Sequence, residues 1–250
     1  MNSPDSISQN RFIPRVTTAV LVVLVFCFIS EIYWGILPWS GLLSPDIKTL
    51  IVLGGVAKDL VESGEWYRLL TATFLHGGLI HLLFNGIALL MIGNFLETFV
   101  GRTWFFFIYG LSGLGGSLLG IIINPSQILS VGASGAIMGL FAAGLIYSFK
   151  LPVYAKSRIQ RSLIQVLIPS LLPIFSMLKI DYAAHLGGAL TGCFIAGIHL
   201  LLLKINLKKL RFIPIVGSLI LFILIGISFV KVVQNYPLQK QLMLEDEVDL

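Results

Sequence analysis

Apolar stretches of roughly twenty residues recur along this chain, and they leave it few ways to fold. A helix needs about 20 mostly apolar residues to cross a bilayer core of about 30 Å. Seven candidates are read, near residues 17–36, 79–98, 104–124, 134–149, 162–178, 183–203 and 212–232, of which the fourth and fifth are short. Charge is scarce: 12% of the 250 residues are charged and 56% are hydrophobic, with a mean hydropathy of +0.93. A soluble domain carries roughly 25% charged residues, so this chain lacks the groups to coat a water-facing surface. The expected fold class is all-α, a polytopic membrane protein.

Between the first two spans lies a long segment, 37–78. Its apolar piece "TLIVLGGVA" is too short to cross and reads as a half-submerged interfacial loop. The opening residues are mostly polar and the first apolar run is long enough to stay in the bilayer, so a retained span is expected rather than a cleaved leader. The net charge of +5 reports topology here and not nucleic acid, because Lys and Arg set the orientation of membrane helices. With the N-terminus cytoplasmic, eleven Lys and Arg fall inside and six outside. That bias favours N-in, with the acidic tail "LEDEVDL" outside. The basic clusters are read as topogenic and solvated, touching at most anionic lipid. Cys27 and Cys193 both lie in apolar runs, so neither a disulfide framework nor a thiolate metal site is expected.

Polar residues inside a membrane are costly, which makes each one a functional candidate. The second span opens with "FLHGGLIHLLFNGIALL", where His81 and Asn85 form an i, i+4 pair on one face. Ser134 begins the fourth span and His185 lies near the start of the sixth. With N-in, these three spans run in the same direction, and all four residues share a depth in the outer half of the bilayer. Glycines indicate which helices touch. Gly135 and Gly139 on the fourth span, and Gly188 and Gly192 on the sixth, are i, i+4 small-residue pairs that allow close backbone approach. Pairing these faces brings the Ser134 hydroxyl toward the His185 ring.

A serine hydroxyl becomes a nucleophile when a base takes its proton, and a neutral His185 is such a base. The oxyanion needs donors. The helix N-terminus at Ser134 offers N–H groups and a favourable dipole, and His81 and Asn85 add side-chain donors. Asp181 reads as the N-cap of the sixth span rather than a third triad member. His76 reads as a loop-positioning residue. A zinc site from His76, His81 and His185 is disfavoured, because no carboxylate or cysteine lies near the first two and those two are five residues apart. Taken alone, Ser134 among small residues reads as packing; the histidine at matching depth shifts it to catalysis.

At these residues the chain resembles the rhomboid intramembrane serine proteases. "GASG" around Ser134 is similar to the family's nucleophile motif, and "AHLGG" around His185 to its base motif. "HGGLIHLLFN" is similar to the second-helix signature, which casts His81 and Asn85 as oxyanion stabilisers. "EWYRLLTATFLH" resembles the first-loop motif with its aromatic–Arg pair, here Tyr67 and Arg68, and Glu97 stands where the family has an acid that helps anchor that loop. Two positions depart from the pattern. Met138 replaces a frequent Tyr or Phe, leaving a sulfur–ring contact to steady the base, and Tyr67 stands where Trp is common.

The resemblance implies a six-helix rhomboid core with one further C-terminal transmembrane helix, seven in all. The organisation expected is a cytoplasmic segment 1–16, a protease core 17–203, a basic loop and seventh helix 204–232, and an acidic tail 233–250. It implies a Ser134–His185 dyad without a third acid and without cofactor or metal. It further implies a water-filled cavity open to the outer face. Cleavage would fall near the outer end of a substrate's transmembrane helix. The partners implied are transmembrane protein substrates and the lipid bilayer, with no nucleic acid. The location implied is the plasma membrane, and the oligomeric state is left open. Two other readings compete: a non-catalytic rhomboid-like protein that binds transmembrane clients, and a transporter. Transport sites usually show intramembrane acids, and the spans hold only Glu31 and Glu97, near their ends.

Overall fold

A computed structural model describes residues 14–36, 44–171, 181–205 and 212–245. Among them the chain forms ten α-helices. These are α1 (Arg15–Tyr33), α2 (Ile47–Val52), α3 (Lys58–Glu62), α4 (Arg68–Thr71), α5 (Leu79–Val100), α6 (Arg102–Ile123), α7 (Ser134–Ser148), α8 (Val153–Leu171), α9 (Tyr182–Lys204) and α10 (Ile213–Glu245). A 3₁₀ turn, Ala72–Phe74, continues α4. No strand occurs among the described residues; one antiparallel bridge pairs Val56 with Ser130. The chain is an all-helical membrane protein. Five helices, α1, α5, α6, α9 and α10, are long and apolar enough to cross a bilayer.

The central layer is made by α6, α7 and α9, which pack most extensively on one another. Lipid tails are as apolar as Leu, so hydrophobic burial does not hold such helices together. Close packing and weak polar contacts do. A Cβ on Gly188 would run into the Gly135 carbonyl oxygen, and one on Gly192 into the Gly139 carbonyl oxygen. At the same junction, a Cβ on Gly116 of α6 would lie 2.7 Å from the Ala184 oxygen and 3.4 Å from Gly135 Cα. The three backbones therefore touch directly, at distances where Cα–H···O contacts form.

Helix α7 has 15 residues and spans only about 22 Å at 1.5 Å per residue. That is short of a bilayer core of about 30 Å, so an α7 within a bilayer would leave part of its connecting loops at membrane depth. Irregular backbone at membrane depth survives only where protein covers it. Here Ser130 pairs with Val56 in both directions (3.0 and 2.9 Å), and the Gly132 N–H donates to the Ala72 oxygen at 2.9 Å.

Within the expected interfacial segment, residues 44–78 form a packed set of short helices. Arg68 sits at its centre, fully buried. Its Nε donates to Glu65 Oε2 at 2.6 Å, and its Nη1 donates to the carbonyls of Ile51 and Gly55. A guanidinium presents five donors in a rigid fork, so one side chain ties three parts of this segment together.

Two helices differ from the sequence expectation. Helix α8 begins at Val153 rather than near 162, directly after Pro152. Proline is well suited to a helix start, and the basic turns that follow lower the hydropathy without breaking the helix. The remainder of the expected span, 172–178, lies outside the described residues. Helix α10 runs to Glu245 instead of ending near 232, so residues 233–245 belong to the helix and not to a separate tail. Its polar end is held by the first-loop segment. Asn235 Nδ2 donates to the Tyr67 hydroxyl (3.1 Å), Gln239 Nε2 to Glu65 Oε1 (2.9 Å), and Lys48 Nζ to the Met243 oxygen (2.9 Å). Burial, together with the hydrogen bond to Glu65, pushes the Tyr67 phenol above its ordinary value, so it stays a neutral donor to that carboxylate at 2.6 Å.

Candidate active site

Ser134 is the first residue of α7 and is half-buried. The N–H groups of a first helical turn have no partner within the helix. Two residues earlier, Gly132 has φ +124°, a conformation that L side chains rarely adopt. A Cβ there would also lie 2.7 Å from His81 Cε1, 2.8 Å from His81 Nε2 and 3.6 Å from Asn85 Nδ2. The imidazole and the amide of α5 thus face the backbone leading into Ser134. Asn85 is buried, and its Nδ2 has no hydrogen-bond partner among the described residues.

His185 lies in the first turn of α9, 7% exposed. Its surroundings follow from the glycine contacts. Gly135, next to Ser134, would place a Cβ 3.1 Å from the oxygen of Ala184, the residue before His185. Gly188, one turn after Ala184 on the same helix, meets the Gly135 carbonyl oxygen. The backbones flanking the serine and the histidine are therefore in contact. Among the described residues no hydrogen bond joins the two side chains.

The second nitrogen of His185 is engaged. Nδ1 lies 2.7 Å from the carbonyl oxygen of Ser170, in the last turn of α8. A carbonyl only accepts, so this contact assigns the proton to Nδ1 and leaves the Nε2 lone pair free in the neutral ring. Asp181 caps α9, accepting from the Ala184 N–H at 2.9 Å, and also receives Asn124 Nδ2 (2.9 Å) and the Ser130 hydroxyl. Its carboxylate is spent on the cap and on the loop between α6 and α7. Met138 is buried in the first turns of α7.

His76 is fully buried, with its ring edge-on to His81 at 5.2 Å between centroids. Its backbone N–H donates to both oxygens of Glu31 on α1, at 3.1 and 3.2 Å. Arg68 anchors the first-loop segment. Glu97 is placed elsewhere, and the expectation that it anchors that loop is corrected. Its carboxylate accepts from the N–H groups of Val16 (3.0 Å) and Thr17 (2.8 Å) and from the Thr17 hydroxyl (2.8 Å), and Arg102 approaches to 3.9 Å. Helix α1 has no side-chain cap of its own, so an acid from α5 satisfies its free N–H groups. Gly93 makes room, since a Cβ there would collide with Thr17.

Four contributors were not singled out in the sequence. Gly132 lies inside the "VGASG" run, and only its positive φ sets it apart. Gly116 is one of several glycines on α6. Ser170 acts through its main chain, so its identity carries no signal. Glu31 was noted only as an acid near a span end, and its target is a backbone N–H.

The fold and this cluster define a class: a helical membrane protein with serine, histidine and asparagine gathered at one end of a glycine-packed bundle. Comparison with known proteins identifies the family. Residues 63–202 match the Rhomboid domain, and the chain belongs to the rhomboid family. It is 34% identical over 193 residues to RHOMBOID-like protein 5 of Arabidopsis thaliana, covering 76% of this chain and 62% of that one. It is 35% identical over 176 residues to Rhomboid protease GluP of Bacillus subtilis, covering 70% of this chain and 32% of that one. Rhomboid protease AarA of Providencia stuartii is 29% identical over 251 residues, with 91% and 89% covered. The chain thus spans less than two thirds of the length of the first two relatives. The family includes intramembrane serine proteases, and two of these relatives are named as rhomboid proteases.

Proposed function

We propose that this chain is an intramembrane serine endopeptidase. Ser134 is the nucleophile and His185 the general base, acting on membrane-anchored proteins near the outer end of their transmembrane helix. The observation that carries this reading is the state of His185: its Nδ1 is committed to the Ser170 carbonyl, which leaves Nε2 as the proton acceptor on the helix face that meets Gly135.

In the proposed reaction Ser134 Oγ attacks the scissile carbonyl carbon and its proton passes to His185 Nε2. The imidazolium is stabilised through Nδ1–H and the Ser170 oxygen. The oxyanion is received by N–H groups at the start of α7 and by Asn85 Nδ2 and His81, whose side chains face Gly132. Donors fixed in place before charge develops are the largest single contribution in many hydrolases. His185 then returns the proton to the leaving amine, and water repeats the cycle on the acyl-enzyme. Asp181 is left as a cap, so the catalytic unit is a dyad.

The same reading assigns the core to 17–203 and adds α7 and α8 to the five long apolar helices to give seven. It places the protein in the plasma membrane with the N-terminus inside. The test is cleavage of a helical membrane substrate by the purified protein in phosphatidylcholine vesicles. Wild type cuts, and Ser134→Ala abolishes cutting. Undiminished cleavage by folded Ser134→Ala would overturn the proposal.

A further inference from the structure

The chain has four histidines. Three of them, His76, His81 and His185, gather at the Ser134 end. The fourth, His199, lies fourteen residues beyond His185 on α9, about 21 Å further along the axis. It is 8% exposed, and the proposed chemistry makes no use of it. A buried titratable side chain within a membrane helix calls for a role.

Its ring is held on two sides. Nδ1 lies 2.7 Å from the Tyr147 hydroxyl, and the Trp104 ring stacks on its face at 3.9 Å and 17°. With the hydroxyl donating to Nδ1, the neutral ring carries its proton on Nε2. His199 lines a cavity of about 410 Å³ at the end of the bundle remote from Ser134. Phe99, Leu200 and Leu203 form apolar walls, and Lys150 and Lys204 stand at the same cavity. Both lysines are exposed, and neither is paired with a carboxylate among the described residues. No acid lines the space among the described residues.

Lysines after α7 and at the end of α9 are also what helix dipoles and topology favour. Those effects account for their sign but not for the fixed imidazole and the two cations sharing one apolar cavity. Two positive charges and an N–H donor suit a phosphate monoanion. The apolar walls, open to the outer surface of the bundle where Phe99 and Leu203 are 41% and 63% exposed, suit acyl chains. Lys150 follows the end of α7 and Lys204 ends α9, and the ends of membrane helices are where headgroups lie. Basic pockets between membrane helices are a recognised seat for such headgroups. The geometry points to an anionic phospholipid site in the leaflet opposite Ser134, with Lys150 and Lys204 on the phosphodiester and His199 Nε2 donating to it.

Native mass spectrometry of the full chain in neutral detergent tests the site, with phosphatidylglycerol or phosphatidylcholine added. Wild type retains phosphatidylglycerol preferentially. The variant Lys150→Gln/Lys204→Gln binds it about 30-fold more weakly, from the roughly fivefold that each basic residue near an anionic surface contributes. Both lysines are exposed, so the variant keeps its fold, checked by an unchanged melting temperature in phosphatidylcholine. Equal retention by the double variant, or equal retention of the two lipids by wild type, would overturn the site. Stabilisation by inorganic phosphate as strong as that by phosphatidylglycerol would overturn its assignment to lipid.

Discussion

Gly116→Ala tests whether the helix spacing sets the chemistry. Gly116 lies on α6, outside the serine and histidine helices. A Cβ there would stand 2.7 Å from the Ala184 oxygen, whereas an ordinary contact begins at 3.4 Å. The carbonyl is backbone, so α9 must retreat by about 0.7 Å to accept the methyl group. Ala184 immediately precedes His185, and the base moves with it. A misplacement of about 1 Å can cost about 100-fold in rate, so kcat/KM is expected to fall about 10- to 100-fold. Overpacking costs about 1–3 kcal/mol, partly offset by up to about 1 kcal/mol of helix propensity, so the melting temperature drops by only a few degrees. The assay is initial-rate cleavage of a helical substrate in vesicles, with thermal unfolding in parallel. Gly197→Ala on α9 is the control, because a Cβ there meets nothing within 4 Å; it leaves the rate unchanged. A wild-type rate in Gly116→Ala, or an equal loss in Gly197→Ala, would refute the spacing argument.

Gly132→Ala combines a positive φ with a collision on His81; the strain is about 1–3 kcal/mol, and activity should fall more than stability, measured as kcat against melting temperature. A variant as active as wild type would separate Gly132 from the site. Glu97→Ala leaves two backbone N–H groups and one hydroxyl of α1 without an acceptor, a cost of about 2–4 kcal/mol. Thermal unfolding should show a clear drop, with a smaller one for Glu97→Gln; the reverse ranking would contradict the cap. Asn235→Ala with Gln239→Ala removes the contacts of α10 to Tyr67 and Glu65, worth about 1–3 kcal/mol. Amide exchange in residues 50–71 should accelerate about 10- to 100-fold, and unchanged exchange would show that α10 does not hold this segment.

Periodicity and hydropathy made most of the bundle legible. Helices α1, α5, α6, α7 and α9 lie within about three residues of their expected ends, because long apolar runs in lipid have one way to satisfy their backbone. What the sequence concealed was the partner of each polar group. Glu97 sits on α5 with nothing nearby in sequence to show that it reaches the start of α1. The end of α10 reads as a tail because Gln234, Asn235 and Gln239 lower the hydropathy, yet two of these find partners in a segment some 170 residues away. The Ser170 carbonyl is invisible to any side-chain pattern. Gly188 and Gly192 announce a close helix approach, but only the fold shows that Gly116 of α6 meets the same Ala184 oxygen as Gly135.

The central claim is that Ser134 is activated by His185. Labelling of the folded protein in vesicles with a fluorophosphonate probe reads both residues at once and needs no known substrate. The account predicts that wild type labels, that Ser134→Ala does not, and that His185→Ala labels at least about 100-fold more slowly. Labelling of Ser134→Ala, or a wild-type rate in His185→Ala, would contradict it.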